Sequence, residues 1–396
     1  MTLATILLAV LLQGAPQGTP PTTPGREGAA PPPPAGRPPE GCLLRSNPKC
    51  YEVRWEVLLN VVPTDKQNPS PIQLEDATFF FPLIPLSTWS RTHLDSVSMT
   101  LDRTNQPDPR AGSSMRLDRT APGGIAVAVL PIGAASGQTL RTTMTFTAVA
   151  WRSDLDDAAA VRVPWPSEWP AEAKPWLAPQ FLIESDDARF AAFVERTTGK
   201  QLRYTPVFAA AKQLLRATIA SFRALDGNGV EIGRHNQVRG LRLVGAAQSM
   251  QAGQGTAADL VCACVAVLRA AGIPARPVIG VDEAEPGERT VRTTYVVWGE
   301  FFLPGSGWVP FDPSMMRGSN ASGASPDRAW SGLGRIKELN TRVPLSYFFL
   351  PPRNDAACIQ YPGAWGWAAR GVVGNGVAFD SVRFQMISRP LPPDLR

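Results

Sequence analysis

The sequence is poor in the residues that most catalytic and metal sites need. It contains two histidines, His93 and His235, and five cysteines in 396 residues. No Cys/His spacing suits zinc, no glycine-rich loop follows a strand as phosphate binding requires, and no calcium-loop pattern occurs. We therefore expect neither a bound metal nor a cofactor.

Concentrated positive charge is also missing. The net charge of +5 comes from arginines scattered among aspartates and glutamates, without a basic block. Nucleic-acid binders usually cluster basic residues and interleave them with aromatic ones. The sequence therefore predicts no nucleic-acid partner, and it does not indicate an oligomeric state.

Long apolar runs are absent apart from the first residues. Residues 3–12 form an apolar run, which is too short for a membrane-spanning helix but typical of the hydrophobic part of a secretory signal. We predict a signal peptide at residues 1–15 and export to the periplasm, the cell envelope or the extracellular medium. No Lys or Arg precedes the run, so an uncleaved anchor is an open alternative.

Composition and periodicity divide the rest of the chain. Prolines crowd residues 16–40, which favours an extended, disordered linker. Residues 41–160 alternate polar and apolar side chains between turn signals, which predicts an antiparallel β-sandwich. Residues 161–180 are rich in tryptophan and proline and are expected to form a strap whose indoles pack on a neighbour. Helical and then strand-like patterns at 181–396 predict a second domain.

Two of the cysteines lie close together near the first predicted strand. In an oxidising compartment Cys42 and Cys50 could form a disulfide that fixes the N-terminal edge of the sandwich. We expect this disulfide, and the alternative is a pair of free thiols.

A helix start at Thr256 is the strongest local signal in the chain. The segment from Thr256 to Asp259 has the form of a capping box, and an apolar stretch follows at helical spacing. Cys262 and Cys264 belong to that stretch and are expected to be small core residues. A cysteine in the first turn of such a helix would have a depressed thiol pKa. A histidine and a carboxylate on the following strands would complete a thiol site.

Four motifs occur in an order that resembles the bacterial transglutaminase-like family. They are Gly255-Thr-Ala257, Gly272-Ile-Pro-Ala-Arg276, Val296-Val-Trp298-Gly-Glu300 and Gly307-Trp308-Val-Pro-Phe-Asp312-Pro313. The resemblance is best over residues 253–314. It implies an α+β fold with a papain-like transglutaminase core, in which helices pack on an antiparallel sheet, preceded by the β-sandwich.

The resemblance also implies that the catalytic triad is incomplete. The family's nucleophilic cysteine corresponds to Ala257, and its histidine corresponds to Val296. The third position is retained as Asp312. An alanine side chain has no nucleophile and a valine side chain cannot transfer a proton. These positions would therefore remain part of the fold but could not catalyse a thiol-dependent reaction.

Four further residues are candidates for the flanks of the same cleft. Thr256 is expected mainly to cap the helix, and His235 could reach the cleft as a base. Trp298 and Trp308 would be packing residues or, alternatively, an aromatic wall for a ligand.

These observations leave three functions open. The first is an exported, catalytically degenerate protein that binds an extended peptide or a protein, or acts as a scaffold. The second is an active hydrolase or acyltransferase with a nonstandard site, for example Ser249 or Thr256 with His235. The third is a structural envelope protein. In the first case the cleft could be open, or it could be closed by Val296 packing on Ala257.

Overall fold

The computed structural model describes residues 41–63, 73–104, 106–108, 114–119, 122–136, 139–225, 229–232, 238–283, 294–319, 328–350, 362–368, 371–373 and 376–393. The predicted signal peptide, the predicted linker and His235 lie outside these residues. None of the described helices is long and apolar enough to cross a membrane.

Two antiparallel sheets form what we call the two-sheet module. The larger has seven strands in the order β4-β3-β7-β1-β18-β10-β9. These are β1 (Leu43–Pro63), β3 (Ser90–Arg103), β4 (Gln106–Pro107), β7 (Thr139–Leu155), β9 (Val230–Ile232), β10 (Val238–Leu241) and β18 (Gly376–Arg389). The smaller contains β2 (Gln73–Leu83), β5 (Arg116–Asp118), β6 (Ala126–Ser136), β16 (Gly366–Ala368) and β17 (Gly371–Val373).

Alternation along the strands explains why these sheets form and share a core. In β1 the side chains of Tyr51, Val53 and Trp55 are fully buried, while Arg54 between them is exposed. This period of two places one face of the sheet in the core and the other in solvent. The ring of Trp55 meets that of Phe81 on β2, with centroids 5.1 Å apart, so the two sheets contact each other through aromatic side chains.

The second half of the chain builds helices against a four-stranded antiparallel sheet. Its strands, in the order β14-β13-β12-β15, are β12 (Ala275–Asp282), β13 (Thr294–Leu303), β14 (Gly307–Phe311) and β15 (Arg342–Ser346). The α-helices of the described chain are α1 (Asp157–Ala160), α2 (Ala188–Thr198), α3 (Val207–Ala220), α4 (Ala246–Ala252), α5 (Ala257–Ala270) and α6 (Pro313–Gly318). A short parallel pair, β8 (Arg223–Ala224) and β11 (Gln254–Gly255), precedes α5. The fold class is α+β, as predicted.

The C-terminal boundary of the second domain was predicted wrongly. Strand β18 pairs with β1 along residues 50–63 and lies in the middle of the larger sheet. Strands β16 and β17 pair with β2. Residues 366–368, 371–373 and 376–389 therefore belong to the two-sheet module rather than to a domain at 181–396. Local periodicity identifies a strand but not the distant strand with which it pairs. The sequence therefore did not show that the C-terminal strands pair with β1 and β2.

The expected disulfide is not formed. Cys42 and Cys50 are both free and buried. They lie at or near the start of β1, eight positions apart along the chain, a separation of about 25 Å in extended conformation. A disulfide needs Cα atoms about 4.4–6.8 Å apart. The Cys42 thiol instead lies 3.0 Å from the Ser306 hydroxyl, while Cys50 packs with Val149 and Trp151.

The tryptophans of the strap pack on the second half of the chain, as expected. The indole N–H of Trp165 donates to the carbonyl of Thr205 (2.8 Å), and that of Trp169 donates to the carbonyl of Gly272 (3.1 Å). Each large apolar ring thus reaches a polar partner with its N–H. The strap therefore fixes the turn that follows α5.

Candidate functional site

Helix α5 begins in a complete capping box. The Thr256 side chain accepts a hydrogen bond from the backbone N–H of Asp259 (3.2 Å), and the Asp259 carboxylate accepts one from the backbone N–H of Thr256 (3.0 Å). The other oxygen of Asp259 accepts from the backbone N–H groups of Val244 and Gly245. The capping box satisfies N–H groups that a helix start otherwise leaves unpaired. Asp259 thereby joins the loop before α4 to the start of α5.

Ala257, the position of the expected nucleophile, comes directly after the Thr256 cap. Ala257 is the first residue of α5 and is half-buried, whereas the next residue, Ala258, is 1% exposed. Thr256 is buried, and its hydroxyl both donates to Asp259 and accepts from its backbone. A hydroxyl with both of these hydrogen bonds acts as a helix cap, as expected for Thr256.

Strand pairing places Val296 and Asp312 on the same side of the four-stranded sheet. Glu300 on β13 is opposite Pro310 on β14, and Phe302 is opposite Trp308. Residues opposite each other in a sheet share a face, and alternate residues of one strand share it too. Val296 and Trp298 therefore lie on the face of Glu300, and Asp312, two residues after Pro310, continues the same alternation at the end of β14.

Asp312 is fully engaged by other groups. One carboxylate oxygen accepts hydrogen bonds from the backbone N–H groups of Ser314 and Met315 and caps α6. The other accepts from Nη1 of Arg342 at 2.8 Å. Arg342 also donates through Nε to Asp282 at 3.2 Å. The Asp312 carboxylate is thus held by an arginine from β15.

The two tryptophans of the motifs are buried. Trp308 is 6% exposed, and the guanidinium of Arg276 lies over its ring, 3.8 Å from the centroid. Trp298 is 2% exposed, and its indole nitrogen has no hydrogen-bond partner among the described residues. Both side chains are packing residues, and neither offers an open aromatic wall.

A buried ion pair lies further along the same face. Arg276 donates from Nε to one carboxylate oxygen of Glu300 at 2.8 Å, and Nη2 of Arg276 lies 2.7 Å from the same oxygen. The side chains are 6% and 2% exposed. The guanidinium is also stacked on Tyr347, 3.7 Å from the ring centroid. Burial raises the pKa of Glu300, and the charge and hydrogen bonds of Arg276 act in the opposite direction.

Three other candidate nucleophiles, Ser249, Cys262 and Cys264, are fully buried. The hydroxyl of Ser249 is fully buried and donates to the carbonyl of Ala246. Cys262 and Cys264 lie inside α5 with no exposed surface. Burial raises the pKa of the Cys262 thiol well above its usual value and also raises the pKa of Cys264. Both cysteines are core residues.

The burial of these two thiols gives a direct prediction. In the native protein Cys262 and Cys264 are expected to resist iodoacetamide at pH 8, because the thiolate is disfavoured and the reagent cannot reach it. After unfolding in guanidinium chloride both are expected to react, as measured by mass spectrometry of tryptic peptides. Alkylation of either residue in the folded protein at the rate of a free cysteine would show that α5 is not packed as described.

The comparison with known families decides the identity of this region. Residues 198–313 match the family model of the transglutaminase-like superfamily. The chain carries a transglutaminase-like domain. The match includes α5, β12, β13 and β14 and ends directly after Asp312. The matched residues thus include Ala257, Val296 and Asp312.

The comparison with solved structures concerns the fold of the chain. A candidate cysteine protease from Cytophaga hutchinsonii is 14% identical, with a TM-score of 0.50 over 88% of this chain and 94% of that chain. The likeness shows a shared fold alone. The periplasmic domain of TgpA from Pseudomonas aeruginosa is 17% identical over 74% of this chain and 92% of that chain, with a TM-score of 0.30. No curated protein matches the sequence.

Sequence reasoning missed the residues that hold Asp312. The aspartate was found because it closes a recognisable motif, and Thr256 was found because capping boxes have a sequence pattern. Arg342 and Asp282 lie in no motif, and they come together only because β12 and β15 pair at these positions. The ion pair of Arg276 and Glu300 could have been considered from the sequence, since both residues are in the quoted motifs.

Proposed function

We propose that this protein is an exported, catalytically degenerate member of its superfamily that binds an extended peptide or protein segment without cleaving or transferring it. The observation that carries the proposal is the pair of residues at the triad-equivalent positions, Ala257 and Val296. Thiol-dependent acyl transfer needs a nucleophile and a base that can exchange a proton with it. A methyl group and an isopropyl group supply neither.

The partial exposure of Ala257 and Val296 favours peptide binding at these two residues. Ala257 and Val296 are both half-buried rather than sealed into the core. A site that keeps a partly open surface after losing its reacting groups can still make the contacts by which an enzyme holds its substrate, because ground-state binding does not depend on the reacting atoms. The half-exposed alanine at the start of α5 is therefore the expected centre of the binding surface.

Two further parts of the proposal concern the rest of the chain. Export is supported by the apolar run at residues 3–12. We also propose that the two-sheet module is a β-sandwich, which the contact between Trp55 and Phe81 supports. In this role the module would present the transglutaminase-like domain rather than bind the peptide itself.

A panel of defined extended peptides, including glutamine-containing ones, tests the function. Calorimetry is expected to detect binding of at least one peptide, and mass spectrometry is expected to find no hydrolysed or amine-coupled product after prolonged incubation. Time-dependent product that disappears in Ser249→Ala, Thr256→Ala or His235→Ala would overturn the proposal, as would a complete absence of binding across the panel.

The location of binding is tested by two matched tryptophan substitutions. Ala257→Trp is expected to weaken peptide binding at least tenfold, because the indole would fill the space at the start of α5. Ser98→Trp, on the exposed face of the larger sheet, is expected to have no effect. The reverse pattern would move the function to the two-sheet module.

A further inference from the structure

The side chains around Val296 share one face of the four-stranded sheet. Val296 on β13 is opposite Gly280 on β12, and Gly280 is opposite Pro344 on β15. Two positions along, Asp282 on β12 is opposite Arg342 on β15. Opposite and alternate residues lie on the same face, so Arg342 and Asp282 extend from the same side of the sheet as Val296.

Gly280 leaves room on this face for larger neighbours. A Cβ atom at position 280 would lie 2.9 Å from the Trp298 ring and 2.6 Å from the carbonyl oxygen of Val343. The Trp298 ring therefore covers the glycine directly. The guanidinium carbon of Arg342 is 5.9 Å from the centroid of the same ring, which places the charged end of Arg342 beside Trp298 and within reach of Asp312.

No oxygen of Asp312 is left without a partner. One oxygen caps α6 and the other accepts from Arg342. Arg342 is itself 8% exposed and lies between the carboxylates of Asp312 and Asp282. Burial lowers the pKa of Arg342, but the charges and hydrogen bonds of the two carboxylates outweigh burial and raise it. Arg342 is therefore a permanent cation at this site.

We propose that Arg342 is a positioning residue that has replaced the imidazole as the partner of Asp312. The clamp formed by Asp282, Arg342 and Asp312 joins β12, β15 and the start of α6. In this clamp the Asp312 carboxylate is paired with Arg342 and is not available to a base at position 296. The inference rests on the proposed correspondence between Val296 and the family's histidine, but not on which ligand the protein binds.

The inference is tested by placing a histidine at position 296 with and without the clamp. In Val296→His the imidazole pKa is expected to stay at or below the ordinary value of about 6.5, since Arg342 neutralises the nearby carboxylate. In Val296→His/Arg342→Gln the released carboxylate is expected to raise it by about one unit or more. The titration is followed by NMR of the imidazole Hε1, whose signal is assigned by its absence in the parent protein.

A second arginine provides the matched control. Val296→His/Arg335→Gln removes the same charge from ion pairs with Asp154 and Asp157 and is expected to leave the imidazole pKa of Val296→His unchanged. Equal imidazole pKa values with and without Arg342 would overturn the inference, as would a raised value in Val296→His alone. These outcomes do not depend on the peptide experiment, so the inference and the proposed function can fail separately.

Loss of Arg342 could also prevent folding, because it leaves two carboxylates without their cation. A third variant, Val296→His/Arg342→Gln/Asp282→Asn, removes one of those negative charges together with the arginine. Its imidazole pKa is expected to be raised as well, since Asp312 is again released. A value at or below that of Val296→His would count against Arg342 as the residue that withdraws Asp312.

Discussion

Arg276→Met is expected to lower the free energy of unfolding by about 3–5 kcal/mol, the usual cost of removing one partner from a buried ion pair. The reason is that Glu300, which is 2% exposed, would lose its hydrogen bond and its ion pair with the guanidinium and be left in the core without a cation. Arg276→Met/Glu300→Leu is expected to recover most of the loss, because no unpaired charge then remains. Urea unfolding of the three proteins measures both effects.

An exposed ion pair of the same chemistry is the control for this prediction. Arg389 and Glu52 pair on the surface of the larger sheet, with side chains 47% and 35% exposed. Arg389→Met is expected to cost less than about 1 kcal/mol, because water screens the pair and solvates the remaining carboxylate. Similar costs for Arg276→Met and Arg389→Met would contradict the burial on which the prediction rests.

The Arg276→Met variant also has a characteristic pH dependence. Burial raises the pKa of Glu300 in the folded protein, and removal of Arg276 removes the opposing effect. A raised carboxyl pKa favours the folded state below the unfolded value of about 4.3, and this contribution is lost as the pH rises through the folded pKa. The stability deficit of the variant is therefore expected to shrink as the pH is lowered towards 4.

Gly299→Ala is the second change with a large expected effect, a loss of about 3 kcal/mol from overpacking. Gly299 on β13 is opposite Phe311 on β14, and a Cβ atom at position 299 would overlap the Phe311 ring. Phe311 has no exposed surface and cannot move outward. The double variant Gly299→Ala/Phe311→Leu is expected to be more stable than Gly299→Ala alone, because the smaller side chain leaves room for the methyl group.

Gly318 provides the matched glycine control. It is the last residue of α6, and nothing lies within 4 Å of the position of its Cβ atom. Gly318→Ala is expected to leave the stability unchanged or to raise it by up to about 1 kcal/mol, the helix preference of alanine over glycine. Thermal unfolding of both alanine variants separates the cost of overlap from the general effect of replacing a glycine.

The parts of the fold that depend on local signals could be predicted from the sequence. The start of α5 at Thr256 follows from a capping box, and its end follows from Gly272 and Pro274. The strap can be recognised because its prolines can neither continue a helix nor enter a sheet interior. These features are determined within a few residues, where propensity and hydrogen bonding act directly.

The parts that depend on distant pairing could not be predicted. Strand β18 lies beside β1 more than three hundred residues away along the chain, and nothing in its own alternation specifies that partner. The prediction of a disulfide was wrong for a related reason. Cys42 and Cys50 are close in sequence, but an extended strand between them keeps their Cα atoms far apart in space. The Arg342 clamp likewise depends on the pairing of β12 with β15.

The central claim is that Ala257 holds the nucleophile position of a transglutaminase-like site without a nucleophile. The most direct measurement is the alkylation rate of Ala257→Cys against pH, with Ala258→Cys as the buried control. We predict that the thiol in Ala257→Cys reacts readily with an apparent pKa below about 8.5, because the helix start stabilises its thiolate, and that Ala258→Cys is inert. An unreactive thiol in Ala257→Cys, or an apparent pKa at or above 8.5, would contradict the account.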